Sequence, residues 1–301
     1  MTIRDHLFPA SVPEALEMLG NAGGAARLLA GGTDLVVALR GGEAGCEVLV
    51  DTCRIPGLDR IERAGDAIRL GARVTMTRAE ADSDLQRCAT ALAEGASWVG
   101  GPQIRNRATI VGNVVSAQPA ADTAVPLFAL EAELEVAGPN GVRTIPVEQA
   151  YRGLGKSAID PSREMVVAVL LRAHGEGESS AYVRMMKRRA LTLPVLSCAV
   201  RVGIRGGRFD VVRIALGPVA ATPLRAREAE EHLRGREVSA AAVGRAAEIA
   251  RAAASPRSSA LRGGAEYRKD MVAILVRDAL CIGLERAGVE GATTWRRSAS
   301  S

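Results

Sequence analysis

The interpretation of the fold depends on one stretch, LLAGGTDL, residues 28–35. It places the glycine pair Gly31 and Gly32 between an apolar run and the acidic residue Asp34. Glycine carries no steric penalty at positive φ, so the pair permits a plain turn after a strand. The same pair also permits bare backbone to approach a ligand. The stretch alone leaves both open, and the rest of the chain has to distinguish them.

The composition predicts a globular protein with an aliphatic core. The 301 residues are enough for one large domain or two of ordinary size. Hydrophobic residues make up 48% of the chain but aromatic residues only 3%, so the core must consist mainly of Ala, Val, Leu and Ile. The net charge is +5, but basic and acidic residues are interspersed, and no basic run carries interleaved aromatics. We therefore expect no nucleic-acid partner.

The cysteines and histidines show no metal-binding pattern. Five cysteines are scattered without a C-x-x-C pair, and three histidines lie far apart, so neither a metal site nor a disulfide scaffold is expected. The N-terminal residues lack a secretory signal pattern. No stretch approaches the roughly 18 uninterrupted apolar residues of a membrane span. The sequence therefore predicts a cytoplasmic protein with no metal of its own and no membrane span.

The pattern along the chain predicts two domains with a boundary near residue 175. Residues 1–55 alternate strand, helix and strand, with a capping box at Ser11 to Glu14 and a helix from about Asp34 to Arg40. Further strands are predicted at 67–74, 132–138, 165–172, 195–204 and 209–216, and helices at 77–99, 223–234, 239–254 and 266–287. GEGESS (175–180) predicts a linker, and the polar end TTWRRSASS (293–301) predicts a disordered tail.

Two nucleotide-binding motifs are excluded. Gly155-Lys156-Ser157 resembles the end of a P-loop, but the glycine needed five residues before Gly155 is Ala150, and no long amphipathic helix follows. No G-x-G-x-x-G opens a helix after a strand, so a Rossmann dinucleotide site has no support.

A second informative stretch is GGPQIRNRATIVGNVVSAQPAADTAVPLFAL, residues 100–130. Its small residues permit close approach of the backbone, and Thr109, Asn113 and Ser116 supply hydrogen-bond donors for an anion. By composition alone it fits an ordinary Gly/Ala-rich loop equally well.

Taken together, LLAGGTDL and PQIRNRATIVGNVVSAQPAAD (102–122) resemble the FAD-binding (medium) subunit of the molybdenum hydroxylases, of the xanthine dehydrogenase and carbon monoxide dehydrogenase type. DTCRIPGLDRIE (51–62), ALGPVAATPLRAREAE (215–230) and YRKDMVAILVRDAL (267–280) fit the same family in the same order. The resemblance covers about residues 3–287. Under it, the glycine pair is a cofactor loop.

The resemblance implies a set of contacts to FAD. The first loop would cradle the pyrophosphate with backbone N–H groups, and the second would pack against the phosphates. Ile104 and Val166 would line the flavin, and Asp122 would bond to the adenosine part or order the loop around it. The candidate cofactor-binding residues are Leu28, Leu29, Ala30, Gly31, Gly32, Thr33, Asp34, Leu35, Ile104, Ala108, Thr109, Gly112, Asn113, Ser116, Asp122, Val166, Arg184 and Lys187. No catalytic residue is expected.

Two positions depart from the family pattern. The family commonly has two glycines before the asparagine of the second loop, whereas here Val111 precedes Gly112. The family's R-x-x-D-I-A stretch near the flavin corresponds to MKRRALTLPVLSCAV (186–200), where Leu191 and Thr192 leave no acid. The neighbouring basic residues, Arg188 among them, then predict a cation beside the flavin, which favours an anionic reduced ring. The electron acceptor is left open.

The fold implied is α+β. It consists of a p-cresol methylhydroxylase-like FAD-binding domain over 1–174, with two α/β lobes at about 1–55 and 56–174. A smaller α+β domain of three strands and helices follows over 175–287, and a tail over 288–301. The implied function is electron transfer: FAD, bound non-covalently, would pass electrons from the [2Fe–2S] clusters of a small subunit to an acceptor. A large molybdopterin subunit would hydroxylate the substrate, and the complex is expected to be a dimer of heterotrimers.

Two other functions stay open at this point. One is a free-standing FAD-dependent oxidoreductase, although residues 175–287 offer few candidates for a general base. The other is a flavin-free scaffold or assembly protein of the same fold, although the glycine loops are intact except at Val111.

Overall fold

The computed structural model describes residues 3–188 and 191–296; Met1, Thr2, Arg189, Ala190 and residues 297–301 lie outside the described residues. Up to residue 172 the helices and strands, in chain order, are β1 (Asp5–Leu7), α1 (Val12–Asn21), β2 (Ala26–Leu29), α2 (Leu35–Gly41), β3 (Val48–Asp51), β4 (Ile61–Ala64), β5 (Ala67–Gly71), α3 (Met76–Ala81), α4 (Ser83–Cys88), α5 (Thr90–Ser97), α6 (Pro102–Arg105), α7 (Ile110–Val115), α8 (Ala124–Ala129), β6 (Glu133–Gly138), β7 (Gly141–Pro146), β8 (Tyr151–Gly153), β9 (Lys156–Ser157) and β10 (Met165–Arg172). Short 3-10 helices lie at Thr52–Arg54 and Val147–Ala150.

The N-terminal lobe is a three-stranded parallel sheet in the order β1-β3-β2, accompanied by α1. The start of α1 follows from its sequence, because the Ser11 hydroxyl accepts a hydrogen bond from the Glu14 N–H (3.3 Å) and the Glu14 carboxylate accepts one from the Ala10 N–H (2.6 Å). Ala15 and Leu19 then face the core and are fully buried. The strand β2 ends at Leu29, and the loop that contains the glycine pair follows directly.

The second lobe is a five-stranded antiparallel sheet in the order β4-β5-β10-β6-β7, with helices α3–α8 between β5 and β6. The single helix predicted over 77–99 is wrong in detail, because three short helices occupy it. Asp82 causes the first interruption: its carboxylate accepts hydrogen bonds from the N–H groups of Asp84 and Leu85 (both 3.0 Å) and starts a new helix there.

The C-terminal part contains β11 (Glu178–Met185), β12 (Leu196–Arg205), β13 (Arg208–Gly217), β14 (Leu224–Arg225), α9 (Arg227–Leu233), α10 (Ala240–Ala253), α11 (Ala265–Arg286) and a 3-10 helix at Ala292–Arg296. Its antiparallel sheet has four strands, β11-β12-β13-β14, where the sequence predicted three. Two of the strands, β11 and β14, lie outside the predicted strand ranges, and β11 begins inside the segment interpreted as a linker. The serines of β11 are buried: Ser180 Oγ accepts from the Ala91 N–H (2.9 Å), and Ser179 Oγ donates to the Gly283 carbonyl (2.5 Å).

The described residues after α11 differ from the predicted disordered tail over 288–301. A 3-10 helix forms at Ala292–Arg296, with Ala292 fully buried, and residues 297–301 of the predicted tail lie outside the described residues. The Arg296 guanidinium makes two hydrogen bonds of 2.9 Å to Asp278 of α11, which fixes this segment against that helix.

Two clusters of buried apolar residues form the interior. The first takes nearly all its members from residues 15–173, and the second from residues 181–292. The division into domains near residue 175 stays a prediction, which these two separate cores support.

Candidate cofactor site

A cavity of about 660 Å³ opens where the chain leaves β2. Another part of its wall is formed by residues of α6 and α7, which lie much later in the sequence. We call residues 28–35 the first loop and residues 104–116 the second loop. Fifteen of the eighteen predicted cofactor-binding residues line this cavity: Leu28, Leu29, Ala30, Gly31, Gly32, Thr33, Asp34, Leu35, Ile104, Ala108, Thr109, Gly112, Asn113, Ser116 and Val166. The two loops, far apart in sequence, therefore share one cavity.

The two glycines of the first loop serve different purposes. A Cβ atom at Gly31 would lie 2.1 Å from the Arg107 carbonyl oxygen, so only glycine allows the two loops to touch through their backbones. Gly32 has a φ of +73°, which side-chain-bearing residues rarely adopt. One glycine thus permits the close approach and the other permits the turn.

The first loop presents backbone donors to the cavity. In the described part of the chain, the N–H groups of Gly31, Gly32, Thr33 and Asp34 donate to no protein acceptor. Consecutive free N–H groups of this kind form a concavity that binds anions. The Asp34 side chain also lines the cavity, and burial raises the pKa of its carboxyl group.

The second loop adds side-chain groups along one face of α7. The Thr109 hydroxyl caps this helix by accepting from the Gly112 N–H (3.0 Å) and keeps its own proton to donate. Asn113 Oδ1 accepts from the Thr123 hydroxyl (2.5 Å), which leaves the Asn113 NH₂ group as a donor. Thr109, Asn113 and Ser116 are spaced for one helical face. The Ser116 hydroxyl donates to the Asn113 carbonyl (2.8 Å), so the side-chain donors left on this face are those of Thr109 and Asn113.

Val111, the departure from the family pattern, is accommodated within the first turn of α7. It is 8% exposed and belongs to the first hydrophobic core, although it also contributes to the cavity wall. A side chain at this position is therefore compatible with an open cavity.

Three predicted residues, Asp122, Arg184 and Lys187, are not among those that line the cavity. Asp122 is buried, accepts a hydrogen bond from the Tyr182 hydroxyl (2.6 Å) and forms an ion pair with Arg184 (3.2 Å). Burial raises the pKa of the Asp122 carboxyl group, while the Arg184 charge and the Tyr182 hydrogen bond oppose that rise. We call Asp122, Tyr182 and Arg184 the interdomain cluster, because Asp122 precedes α8 and the other two lie on β11.

The interdomain cluster corrects the expectation that the basic stretch lacks an acid. Arg184 has its acidic partner in Asp122, 62 residues earlier in the chain, and not at Leu191 or Thr192. Its guanidinium also lies 5.2 Å from the Trp98 ring centre and donates to the Trp98 carbonyl (3.2 Å) and the Thr192 carbonyl. Lys187 and Arg188 are exposed, so their charges are screened by solvent.

Sequence reasoning missed part of the wall, of which the hairpin Gly155-Lys156-Ser157 is the most polar piece. The missed residues are Arg27, Thr52, Ala72, Val99, Val115, Gly155, Lys156, Ser157, Ile159, Pro161, Glu164 and Met165. The apolar members, together with Leu28, Ile104 and Val166, provide a surface suited to a flat ring system. Free amide donors beside such a surface fit a diphosphate attached to an aromatic ring, as in FAD.

Within residues 3–188 and 191–296, no helix is long and apolar enough to cross a membrane. The same residues contain no group of three or more His, Cys, Asp or Glu side chains placed to hold a metal ion.

Comparison with known proteins identifies the family. Residues 3–171 match the family model described as "FAD binding domain in molybdopterin dehydrogenase", and residues 181–281 match "CO dehydrogenase flavoprotein C-terminal domain". The chain belongs to this family of flavoprotein subunits. The family, FAD as its cofactor, and the class of oxidoreductase flavoprotein subunit are as the sequence predicted.

Individual relatives cover almost the whole chain. The carbon monoxide dehydrogenase medium chain of Hydrogenophaga pseudoflava is 34% identical over 272 residues, 90% of this chain and 94% of the relative. The xanthine dehydrogenase FAD-binding subunit of Escherichia coli O157:H7 is 30% identical over 280 residues, 93% of this chain and 95% of the relative.

A solved structure of the Hydrogenophaga pseudoflava carbon monoxide dehydrogenase that lacks the Mo-pyranopterin moiety matches with a TM-score of 0.89. It is 34% identical, and the match covers 94% of this chain and 97% of that one. The predicted fold class, an α+β FAD-binding domain followed by a smaller α+β domain, is confirmed.

Proposed function

We propose that this chain binds FAD non-covalently in the cavity between the two loops and passes electrons from the [2Fe–2S] clusters of a partner subunit to an external acceptor. The observation that carries the proposal is the row of free backbone N–H groups at Gly31 to Asp34 on the wall of a cavity with a large apolar surface. The chemistry that FAD supplies is the storage of two electrons and their release one or two at a time.

The residues of this chain bind and orient the cofactor. The first-loop amides bind the diphosphate, and the donors of Thr109 and Asn113 hold it from the second loop. Val99, Ile104 and Val166 exclude water from the ring. Among the lining residues, all of them described, none is a histidine or cysteine, so the side chains that commonly attach flavins covalently are not at hand.

The substrate chemistry is proposed to lie on partners. The ionisable lining residues are Arg27, Asp34, Lys156 and Glu164, and the Glu164 carboxylate is already paired with Arg143 (2.6 Å). We therefore place hydroxylation on a large molybdopterin subunit and electron entry on a small [2Fe–2S] subunit. A dimer of such heterotrimers and a cytoplasmic location are part of the proposal, supported by relatives named as medium chains and FAD-binding subunits.

The test is to purify the chain alone, saturate it with FAD and record its absorbance spectrum before and after acid precipitation. We expect a flavin spectrum in the native protein and free FAD in the supernatant of the precipitate. The loaded chain should oxidise no heterocycle, aldehyde or carbon monoxide with a dye as acceptor. Co-purification of the native complex should give an assembly that contains molybdenum and iron. Turnover by the molybdenum-free chain would favour the free-standing oxidoreductase, and failure to bind FAD would favour the scaffold.

A further inference from the structure

The hairpin that carries Gly155-Lys156-Ser157 is fixed beside the second loop. Its strands β8 and β9 pair Tyr151 with Ser157 and Gly153 with Lys156. The Gly155 N–H donates to the Ala117 carbonyl (3.0 Å), two residues beyond the end of α7. This bond brings the hairpin to the cavity, and Lys156 is one of the lining residues.

The charged residues of the cavity differ in what else they bind. The Arg27 guanidinium donates to the carbonyls of Gly24 (2.9 Å) and Ala26 (2.7 Å), which directs it to its own strand. The Glu164 carboxylate is paired with Arg143 and also accepts from the Asp160 N–H (2.9 Å). The Lys156 side chain is exposed, and its ammonium makes no hydrogen bond or ion pair to any residue that the structure describes. Neither cation is paired with a carboxylate, but Lys156 is the one whose charged group no described protein group holds in place.

The negatively charged lining residue Asp34 also lacks an ion-pair partner among the described residues. Its side chain follows the free amides of the first loop. A carboxylate there repels an anion bound to those amides. The amides themselves carry partial charges but no net charge, so an anionic ligand needs a cation from elsewhere on the wall.

We propose that Lys156 supplies this cation and holds the diphosphate of FAD from the hairpin side of the cavity. The proposal rests on the proposed function. The diphosphate is the charged part of oxidised FAD, whereas the flavin, ribityl and adenosine parts are neutral. A lysine ammonium binds phosphate as a mobile point charge on a flexible stem, which suits an exposed hairpin. The motif excluded as a P-loop thus still delivers its lysine to a phosphate, through a different backbone structure.

The experiment measures FAD affinity directly, by quenching of flavin fluorescence on the isolated chain at low and high salt. Lys156→Gln removes the charge, Lys156→Arg keeps it, and Lys269→Gln on α11 is the matched control. Lys156, Lys187 and Lys269 are the three lysines of the chain, and Lys269 does not line the cavity. Thermal unfolding of each apo variant checks that the fold is kept.

We expect Lys156→Gln to weaken FAD binding about tenfold at low salt and to flatten its salt dependence. Lys156→Arg should bind within about twofold of the parent, and Lys269→Gln should be unchanged. Unchanged affinity in Lys156→Gln would overturn the proposal, and so would equal losses in Lys156→Gln and Lys156→Arg, since the charge would then be irrelevant. If the parent chain itself fails to bind FAD, the proposed function fails, which is a different result.

Discussion

The first loop leaves its backbone donors free, whereas most polar groups of the interdomain cluster are bonded to one another or to nearby carbonyl groups. Gly31 to Asp34 form an open row of N–H groups on a cavity wall. Asp122, Tyr182 and Arg184 are buried together, and their hydrogen bonds cross from the FAD-binding domain to β11. The difference separates binding from assembly: the unpaired amides of the first loop are available to a ligand, and the bonds of the interdomain cluster connect the segment before α8 to β11.

The largest expected effect is on the interdomain cluster. Asp122→Asn removes the counter-ion of a buried arginine, so we expect the free energy of unfolding to fall by about 3–5 kcal/mol. FAD affinity of the folded fraction should change less than about threefold, because Asp122 does not line the cavity. Denaturant unfolding and FAD titration measure the two quantities separately.

The matched control is Asp59→Asn, which removes an exposed ion pair with Arg78 and should cost less than about 1 kcal/mol. A stable Asp122→Asn variant that no longer binds FAD would contradict this expectation and would indicate that Asp122 belongs to the cofactor site.

The next effect concerns the contact between the two loops. Gly31→Ala places a methyl group against the Arg107 carbonyl, and overpacking of this kind costs about 1–3 kcal/mol. The methyl group destabilises the conformation in which the two loops touch, and this is the conformation that binds FAD. We therefore expect the FAD affinity to drop about 10- to 100-fold. Gly23→Ala, at a positive φ with open space around it, is the control that loses stability but keeps FAD. Equal FAD affinity in both variants would show that the loops need not touch.

The third effect concerns how the free energy of unfolding depends on pH, through the buried residue His174. Burial, with a smaller contribution from the Arg201 charge, lowers the pKa of His174 to about 4, and its Nε2 has no hydrogen-bond partner among the described residues. The unfolded chain, in which the histidine pKa is about 6.5, binds a proton first as pH falls. Stability is thus fully present above pH 6.5 and is lost on acidification, by about 2 kcal/mol at pH 5.

Unfolding at a series of pH values checks this expectation. His174→Gln should remove that part of the pH dependence, whereas His232→Gln should leave most of it. An unaltered pH profile in His174→Gln would mean that carboxyl groups account for the acid sensitivity.

The smallest effect is expected at Lys187 and Arg188, which belong to neither region. Both are exposed, so Lys187→Ala should change the flavin midpoint potential by less than about 10 mV, equivalent to about 0.5 kcal/mol for two electrons. The expected cation beside the flavin would instead require a decrease of tens of millivolts. Potentiometric titration of the FAD-loaded variant decides between them.

Much of the cofactor site could be predicted from the sequence because it depends on local backbone requirements. The glycine pair is such a short-range feature. Outside the site, the Ser11 capping box is another, and residues three apart determine it. The Thr109 cap is equally local, but only a hydrogen-bond donor was predicted at that residue. The strand β11 was missed because Ser179 and Ser180 suggest a linker until their partners, Gly283 and Ala91, are known.

The acid that pairs with Arg184 and the cavity position of Lys156 were missed for the same reason. Each depends on a contact between distant segments: Asp122 with Arg184, and the Gly155 N–H with the Ala117 carbonyl. No periodicity or motif encodes such pairs, so a single sequence does not reveal them.

The contact of Gly31 with Arg107 has a consequence for how the protein is made. The two residues lie 76 positions apart, and closing so long a loop costs chain entropy that few local contacts repay. We therefore expect the segments that build the cavity to meet late in folding, after β2 and α7 have formed separately. A ligand that bridges them binds the closed arrangement and not the open one, so it stabilises the last step by mass action. Flavin supply during synthesis would then govern the yield of mature protein, independently of any later role in electron transfer.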